Sequence, residues 1–339
     1  MSEEKELTRG EQLRRALVYE RKNGWDRLDA EEGAALEAYC TGYKQFLDAG
    51  KTERECVDRA IAQAEAAGFR AYVRGMELKP GDRIYQVNRD KAIMLAVMGR
   101  KGLEHGVNIG AAHIDSPRLD LKQNPLYESD ELGFFKTHYY GGIRKYQWVT
   151  IPLELHGVVA LKNGEVVRVS VGNGPDDPMF TIDDLLPHLA TDQVKKPLGE
   201  AIPAESLNIL VGSRPLRDDE GSDRVKLSVL ELLNRKYGIV EEDFLSAELC
   251  AVPAFRAVDI GFDRSLIGAY GHDDRVCAYA ELKAIFDTET PDRTAVCVLA
   301  DKEEIGSMGV SGMQSRAFET FMADLCEQQD VHLRDCFEN

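Results

Sequence analysis

The chain has 339 residues, 43% of them apolar, which is enough for one large or two medium domains with a substantial core. Its 59 acidic residues against 42 basic ones give a formal charge of −17. That balance argues against a protein that grips nucleic-acid backbones, because phosphate contacts need clustered Lys and Arg. No apolar run approaches the roughly 18 residues of a membrane span, and the charged start MSEEKELTRGEQLRR lacks the apolar stretch of a signal peptide. Seven cysteines, Cys40, Cys56, Cys250, Cys277, Cys297, Cys326 and Cys336, are scattered with no C-x-x-C pair. An odd count without pairing fits a reduced compartment, so a cytoplasmic protein is expected.

No internal repeat, low-complexity tract or Pro/Ser linker divides the chain, so a second domain is expected as an insertion. The first hundred residues open with helical patterns over 34–47 and 52–67; the second has Thr52 as cap, Glu55 three residues later and Gly68 as stop. After Gly81 the pattern turns to strand. Residues 84–87, a turn at Asn88, Arg89 and Asp90, and residues 92–98 predict a hairpin. The apolar stretch 107–112 runs into His113, placing that side chain at the carboxyl end of a buried strand, where ligand sites of open α/β sheets lie.

From about 126 to 245 the character changes to short β-like runs at 149–155, 158–161 and 166–171, with Asn-Gly and Gly-Asn-Gly turns among them. A helix over 225–237, stopped by Gly238, belongs to the same region. Beyond it, 295–300 is an uninterrupted apolar run, as expected of a strand covered on both faces, and it ends at Asp301. Ala278, Leu282, Ile285 and Phe286 share one helical face after Asp273 and Asp274. Phe318, Phe321, Met322, Leu325 and Cys326 do the same after the loop IGSMGVSG.

Three acidic clusters recur at these strand ends and helix starts: HIDSP at 113–117, GHDD at 271–274 and DKEEIGS at 301–307. Each has an ordinary explanation. A lone His113 is more often a hydrogen-bonded strand-end residue than a ligand, and Asp273 with Asp274 could simply complement a helix dipole. The adjacent Glu303 and Glu304 are harder to dismiss, since a solvated loop has no need of two neighbouring carboxylates. Together the clusters supply imidazole and carboxylate ligands plus a spare carboxylate to move protons, which is the inventory of a two-metal hydrolase in part.

HIDSPRLDLK, GHDDR and DKEEIGSMG resemble elements of the aspartyl aminopeptidase family of dinuclear zinc exopeptidases. YGGIRKYQW followed by LHGVV, PHLA at 187–190 and EDFLSAEL at 242–249 resemble further stretches, so the likeness runs from about Ala67 nearly to the last residue. It implies a metal-dependent aminopeptidase that removes the N-terminal residue of peptides with a two-metal activated water. It assigns His113, Asp273 and Glu304 to zinc, two ions being expected, with Asp273 bridging them. Glu303 would be the general base and Asp115 would accept the second ring N–H of His113. A cis peptide is expected between Asp273 and Asp274.

The family pattern also has a further acidic ligand and a last His that fall beyond Asn339, so the chain holds three of five expected ligands. It resembles a C-terminally shortened form, expected to hold metal weakly or singly and to show little activity. Where relatives carry a second His after PHLA, this chain has Asp192. Other readings of the residues are a non-catalytic assembly or cargo protein on the same fold, and a glutamyl-aminopeptidase-like relative, against which HIDSP speaks. The expected architecture is an α/β fold: a three-layer zinc-exopeptidase-like catalytic domain from 1–125 and 246–339, with a β-rich lid or oligomerisation domain at 126–245. Peptide substrates and a homo-oligomer, often a tetrahedral dodecamer, follow from the likeness; nucleic acid and membrane partners do not.

Overall fold

The computed structural model describes residues 7–217 and 220–339, in two compact units that divide between Gly42 and Tyr43. The first holds helix α1 (Arg9–Leu17), which no expectation covered, and the start of α2 (Ala30–Ala49). Thr8 caps α1 in a capping box with Glu11, satisfying the first N–H groups of a helix that buries none of its residues. The second unit carries the two sheets.

Helix α3 (Glu53–Ala66) begins at the expected Thr52–Glu55 capping box. A short β1 (Arg70–Ala71) precedes the hairpin of β2 (Arg83–Asn88) and β3 (Ala92–Val97), and β4 (Asn108–His113) runs into the first acidic cluster. Next come β5 (Arg118–Ser129), β6 (Leu132–Tyr140), β7 (Leu153–Ala160) and β8 (Val166–Val171). The short α4 (Leu198–Ala201), β9 (Ile209–Gly212), α5 (Arg224–Tyr237) and β10 (Ala247–Pro253) complete the middle of the chain. A two-stranded ribbon of β11 (Val258–Ile260) and β12 (Leu266–Gly268) leads to α6 (His272–Asp287), β13 (Ala295–Ala300), α7 (Ala317–Gln328) and α8 (Leu333–Glu338).

The first sheet has the order β1-β2-β3-β13-β4. Met94, Ala96, Val296 and Val298 pack with Phe321, Met322 and Leu325 of α7 and with Cys336 of α8. Strand alternation sends Ile93, Leu95, Cys297 and Leu299 to the opposite face, which α3 and α6 cover. Helices, sheet and helices therefore make the expected three layers. In this sheet β13 lies parallel to β4 with Ala300 opposite His113, so the chain leaves both strands on the same side.

The second sheet, ordered β8-β7-β10-β5-β6-β9 and antiparallel throughout, draws its strands from 118 to 253, reaching past both ends of the 126–245 region. Its core gathers Leu119, Phe135, Leu153, Val159, Ile209 and Phe244 beneath partly buried residues of α5. One expectation differs here and one hairpin was not foreseen. The 153–155 end of the first run and most of 158–161 are one strand, β7, because Gly157 continues it at φ +140°, where a Cβ would lie 1.9 Å from the Glu248 carbonyl oxygen. The β5–β6 hairpin carries no glycine signal, since Asp130 and Glu131 themselves take its two positive-φ turn positions.

Phe321 is fully buried between the first sheet and the rest of α7, and Tyr72 meets its ring edge-on at 6.1 Å. Replacing it with Ala is expected to cost about 3–5 kcal/mol through lost burial and an uncollapsed cavity. Urea unfolding of the metal-free chain reads that loss directly as a lowered midpoint at unchanged slope.

Candidate metal centre

The register of β4 against β13 places the first and third acidic clusters side by side. Ile114 donates its N–H to the Ala300 carbonyl at 2.9 Å, extending the pairing one residue past the end of β4. Beyond it, the chain turns through Lys302, at φ +73°, into a single helical turn at Glu303–Ile305. The second cluster arrives from α6. Arg275, 1% exposed, donates from Nε to the Ile114 carbonyl at 3.1 Å and from a terminal nitrogen to the Lys51 carbonyl at 3.1 Å, locking the helix start against the end of β4. Asp273 and Asp274 depart from helical φ and ψ, and the peptide bond between them is cis. Ser116 Oγ donates to the Asp273 carbonyl at 2.9 Å.

His113, Asp273 and Glu304 each bring one ligand atom into a group whose members all lie within 4.8 Å of one another. His113 Nε2 stands 3.2 Å from Asp273 Oδ1 and 3.5 Å from Glu303 Oε2. On the other side of the ring, Nδ1 lies 2.9 Å from the Asp115 backbone carbonyl and 3.3 Å from its carboxylate Oδ1. The shorter contact is thus to the main chain, with the carboxylate behind it. Either acceptor fixes the proton on Nδ1 and turns Nε2 toward the carboxylates.

Asp115 has no exposed surface, yet its carboxylate is fully supplied with donors. Tyr140 Oη donates to Oδ2 at 2.7 Å, and the backbone N–H groups of Glu303 and Glu304 donate to Oδ1 and Oδ2 at 3.2 Å each. Burial alone would raise its pKa, but the hydrogen bonds from His113 and Tyr140 hold the carboxyl below its ordinary value. Burial works to lower the His113 pKa, and Asp115 more than reverses that, lifting the ring to about 9. Burial, and after it the Asp115 charge, pushes the Tyr140 phenol up, so it remains a donor.

The donor set suits zinc. It offers one oriented imidazole nitrogen and carboxylate oxygens from separate segments, a borderline-soft and hard mixture typical of that ion. Burial and then repulsion from Asp273 push the Glu304 carboxyl up. Glu303 stands beside this group with its side chain 58% exposed. Of the residues singled out from sequence, His113, Asp115, Asp273, Glu303 and Glu304 all meet here. Tyr140, Ser116 and the buried role of Arg275 were not anticipated; the only signal for them was their place in the quoted YGG, HIDSP and GHDDR segments.

Residues 46–335 match the family described as Aminopeptidase I zinc metalloprotease (M18). A protein of Clostridium acetobutylicum named probable M18 family aminopeptidase 1 is 48% identical over 331 residues, covering 95% of this chain and 71% of its own length. Its namesake from Thermotoga maritima is 43% identical over 317 residues, or 92% of this chain and 68% of that protein. Among solved structures, the M18 aminopeptidase crystal structure from Thermotoga maritima superposes with a TM-score of 0.87 at 42% identity, over 93% of this chain and 68% of that one. Aminopeptidase I from Clostridium acetobutylicum gives 0.86 at 44%, over 94% and 71%. With the acidic clusters gathered in one place and this breadth of match, the chain belongs to the aminopeptidase I zinc metalloprotease family.

Proposed function

We propose that in this metal-dependent aminopeptidase His113, Asp273 and Glu304 hold zinc and Glu303 moves the proton. The observation that carries the reading is the meeting of three ligand atoms from three separate segments within 4.8 Å, with a third carboxylate, Glu303, beside them. Zinc, when bound, supplies the positive charge that acidifies water and polarises a peptide carbonyl. His113 Nε2 is the aimed ligand, because Asp115 occupies the other face of the ring. Asp273 is held at its main chain by Ser116, and its largely exposed carboxylate would be the ligand shared between the ions.

Glu303 is the free carboxylate of the group. Its backbone N–H is fixed on Asp115 while its side chain faces solvent, so Oε2 can accept a proton from the attacking water and return it to the leaving amine. The proton count closes within that one residue. The substrate reading is the removal of an N-terminal residue from peptides. Around this chemistry, the region 126–245 serves as the inserted domain and oligomer contact of a homo-oligomer, for which the dodecamer is the form to test by light scattering. Leu185, Leu186, Leu189, Val194 and Leu198, all exposed within it, support that role. No helix among the described residues is long and apolar enough to cross a membrane. The free thiols of Cys56, Cys250, Cys277, Cys297, Cys326 and Cys336 support the cytoplasm as its compartment.

Two substitutions separate base from ligand. In an enzyme carrying the whole family ligand set, Glu303→Gln is expected to keep its zinc and lose turnover of an aminoacyl reporter by ~10² to 10⁴-fold, because the amide cannot take up the water proton. Near-normal turnover would remove Glu303 from the role. Asp273→Ala is expected to lower zinc content as well as turnover, read by elemental analysis after gel filtration; an unchanged metal stoichiometry would show that Asp273 is not a ligand.

A further inference from the structure

Strand β6 ends at Tyr140 and leads into Gly141-Gly142, a turn that meets the candidate centre from the second sheet. The Tyr140 hydroxyl occupies Asp115 Oδ2 at 2.7 Å, leaving Oδ1 to face His113 Nδ1 and the Glu303 N–H. Its ring is confined by two cations: the Arg118 guanidinium lies 4.1 Å from the ring centroid and Lys302 Nζ lies 5.3 Å away. Arg118 is the cross-strand partner of Tyr140 and is itself held by Glu53 and Asp120 at 2.7 Å each. Gly141 sits at φ +73°, and a Cβ there would lie 2.8 Å from Glu304 Oε2 and 3.1 Å from Glu304 Cβ. The Gly142 main chain works to lower the Glu304 pKa, against burial and the neighbouring Asp273. A single turn therefore touches both the carboxylate that aims His113 and the carboxylate offered as a ligand.

We propose that the Tyr140–Gly142 turn is a positioning element of the metal centre: reaching across from the second sheet, it fixes Asp115 and Glu304 and thereby sets zinc affinity. This rests on the reading of His113, Asp273 and Glu304 as ligands. The physical ground is that a ligand binds well only when its orientation is prepaid, so groups behind the ligands typically change metal affinity by ~10- to 100-fold. Tyr140, 6% exposed, could instead serve only to fill space. Tyr140→Phe distinguishes the two, because it keeps the ring, its volume and both cation contacts and removes only the hydroxyl donor. Gly141→Ala probes the other arm. The added methyl meets both Oε2 and Cβ of Glu304 and also strains the main chain at φ +73°, so the melting point of the metal-free variant is read beside its zinc affinity.

The test is zinc affinity by competition with a chromogenic chelator, alongside thermal melting of each metal-free variant and the visible spectrum of the cobalt-loaded form. Tyr140→Phe and Gly141→Ala are expected to bind zinc ~10- to 100-fold more weakly, with an altered cobalt spectrum. Tyr139→Phe, at the adjacent and exposed position, is expected to match the parent. A Tyr140→Phe chain that folds and holds zinc within about twofold of the parent overturns the inference. Should that variant not fold, Gly141→Ala decides the matter by the same criterion. His113→Ala tells the two failures apart. If it loses zinc while Tyr140→Phe does not, only the positioning role falls; if it binds as the parent does, the ligand reading falls and this inference with it.

Discussion

The centre depends on one buried carboxylate. Asp115 has no contact with water, and an ionised carboxylate in that position is tolerable only when its oxygens are supplied with donors. The donors come from three segments, one adjacent and two distant in sequence: the His113 ring two residues back, the Tyr140 hydroxyl on the second sheet, and the main chain at Glu303 and Glu304. Satisfying this one charge therefore forces the end of β4, the end of β6 and the turn after β13 to a common point. The residues that face outward from that point, His113, Glu303 and Glu304, inherit their positions from it.

The parallel pairing of β4 with β13 makes such convergence possible. Parallel neighbours deliver their carboxyl ends on the same side of a sheet, which is why polar groups gather there in α/β proteins. Here Ala300 lies opposite His113, and one further main-chain hydrogen bond carries the pairing to Ile114. A slip of one residue would turn His113 to the other face and leave Asp115 without its amide donors. Arg275 guards against movement from the third side. Its guanidinium is fully buried and spends its bonds on the Ile114 and Lys51 carbonyls, so the start of α6 cannot shift without stranding a charge.

Much of this frame was legible because it rests on local signals. The 295–300 run is apolar at every position and proved to be a strand with those limits, and the Thr52–Glu55 box marked a helix start to the residue. Gly238 at φ +73° stops α5 as its position after a periodic run implies. What stayed hidden depends on partners. Nothing in Arg118–Ser129, a strand rich in charged and polar residues, announces that it will pair with β6 and β10. The β5–β6 turn uses Asp and Glu where glycine or asparagine is usual, so the hairpin lacked its strongest marker. In the centre, the acidic residues were conspicuous by type, whereas Tyr140 is an ordinary aromatic until Asp115 is seen beside it.

The same buried charges bear on how the two sheets are joined. Behind Tyr140, Arg118 and Lys91 share Glu53, at the first turn of α3, while Lys91 and Arg54 share Glu248 on β10. Nearby, His156 on β7 meets Glu55 at 2.7 Å and Lys51 meets Glu154 at 3.4 Å, all but Glu55 being closed off from solvent. Several of these charges are closed off from solvent, so removing one partner of such a pair would strand a buried charge, which is far more costly than the pair. The second sheet is for that reason built into the wall of the centre at this end. Among the described residues, the partly buried apolar residues of α5 and the exposed leucines of 185–198 carry no comparable network of buried charge.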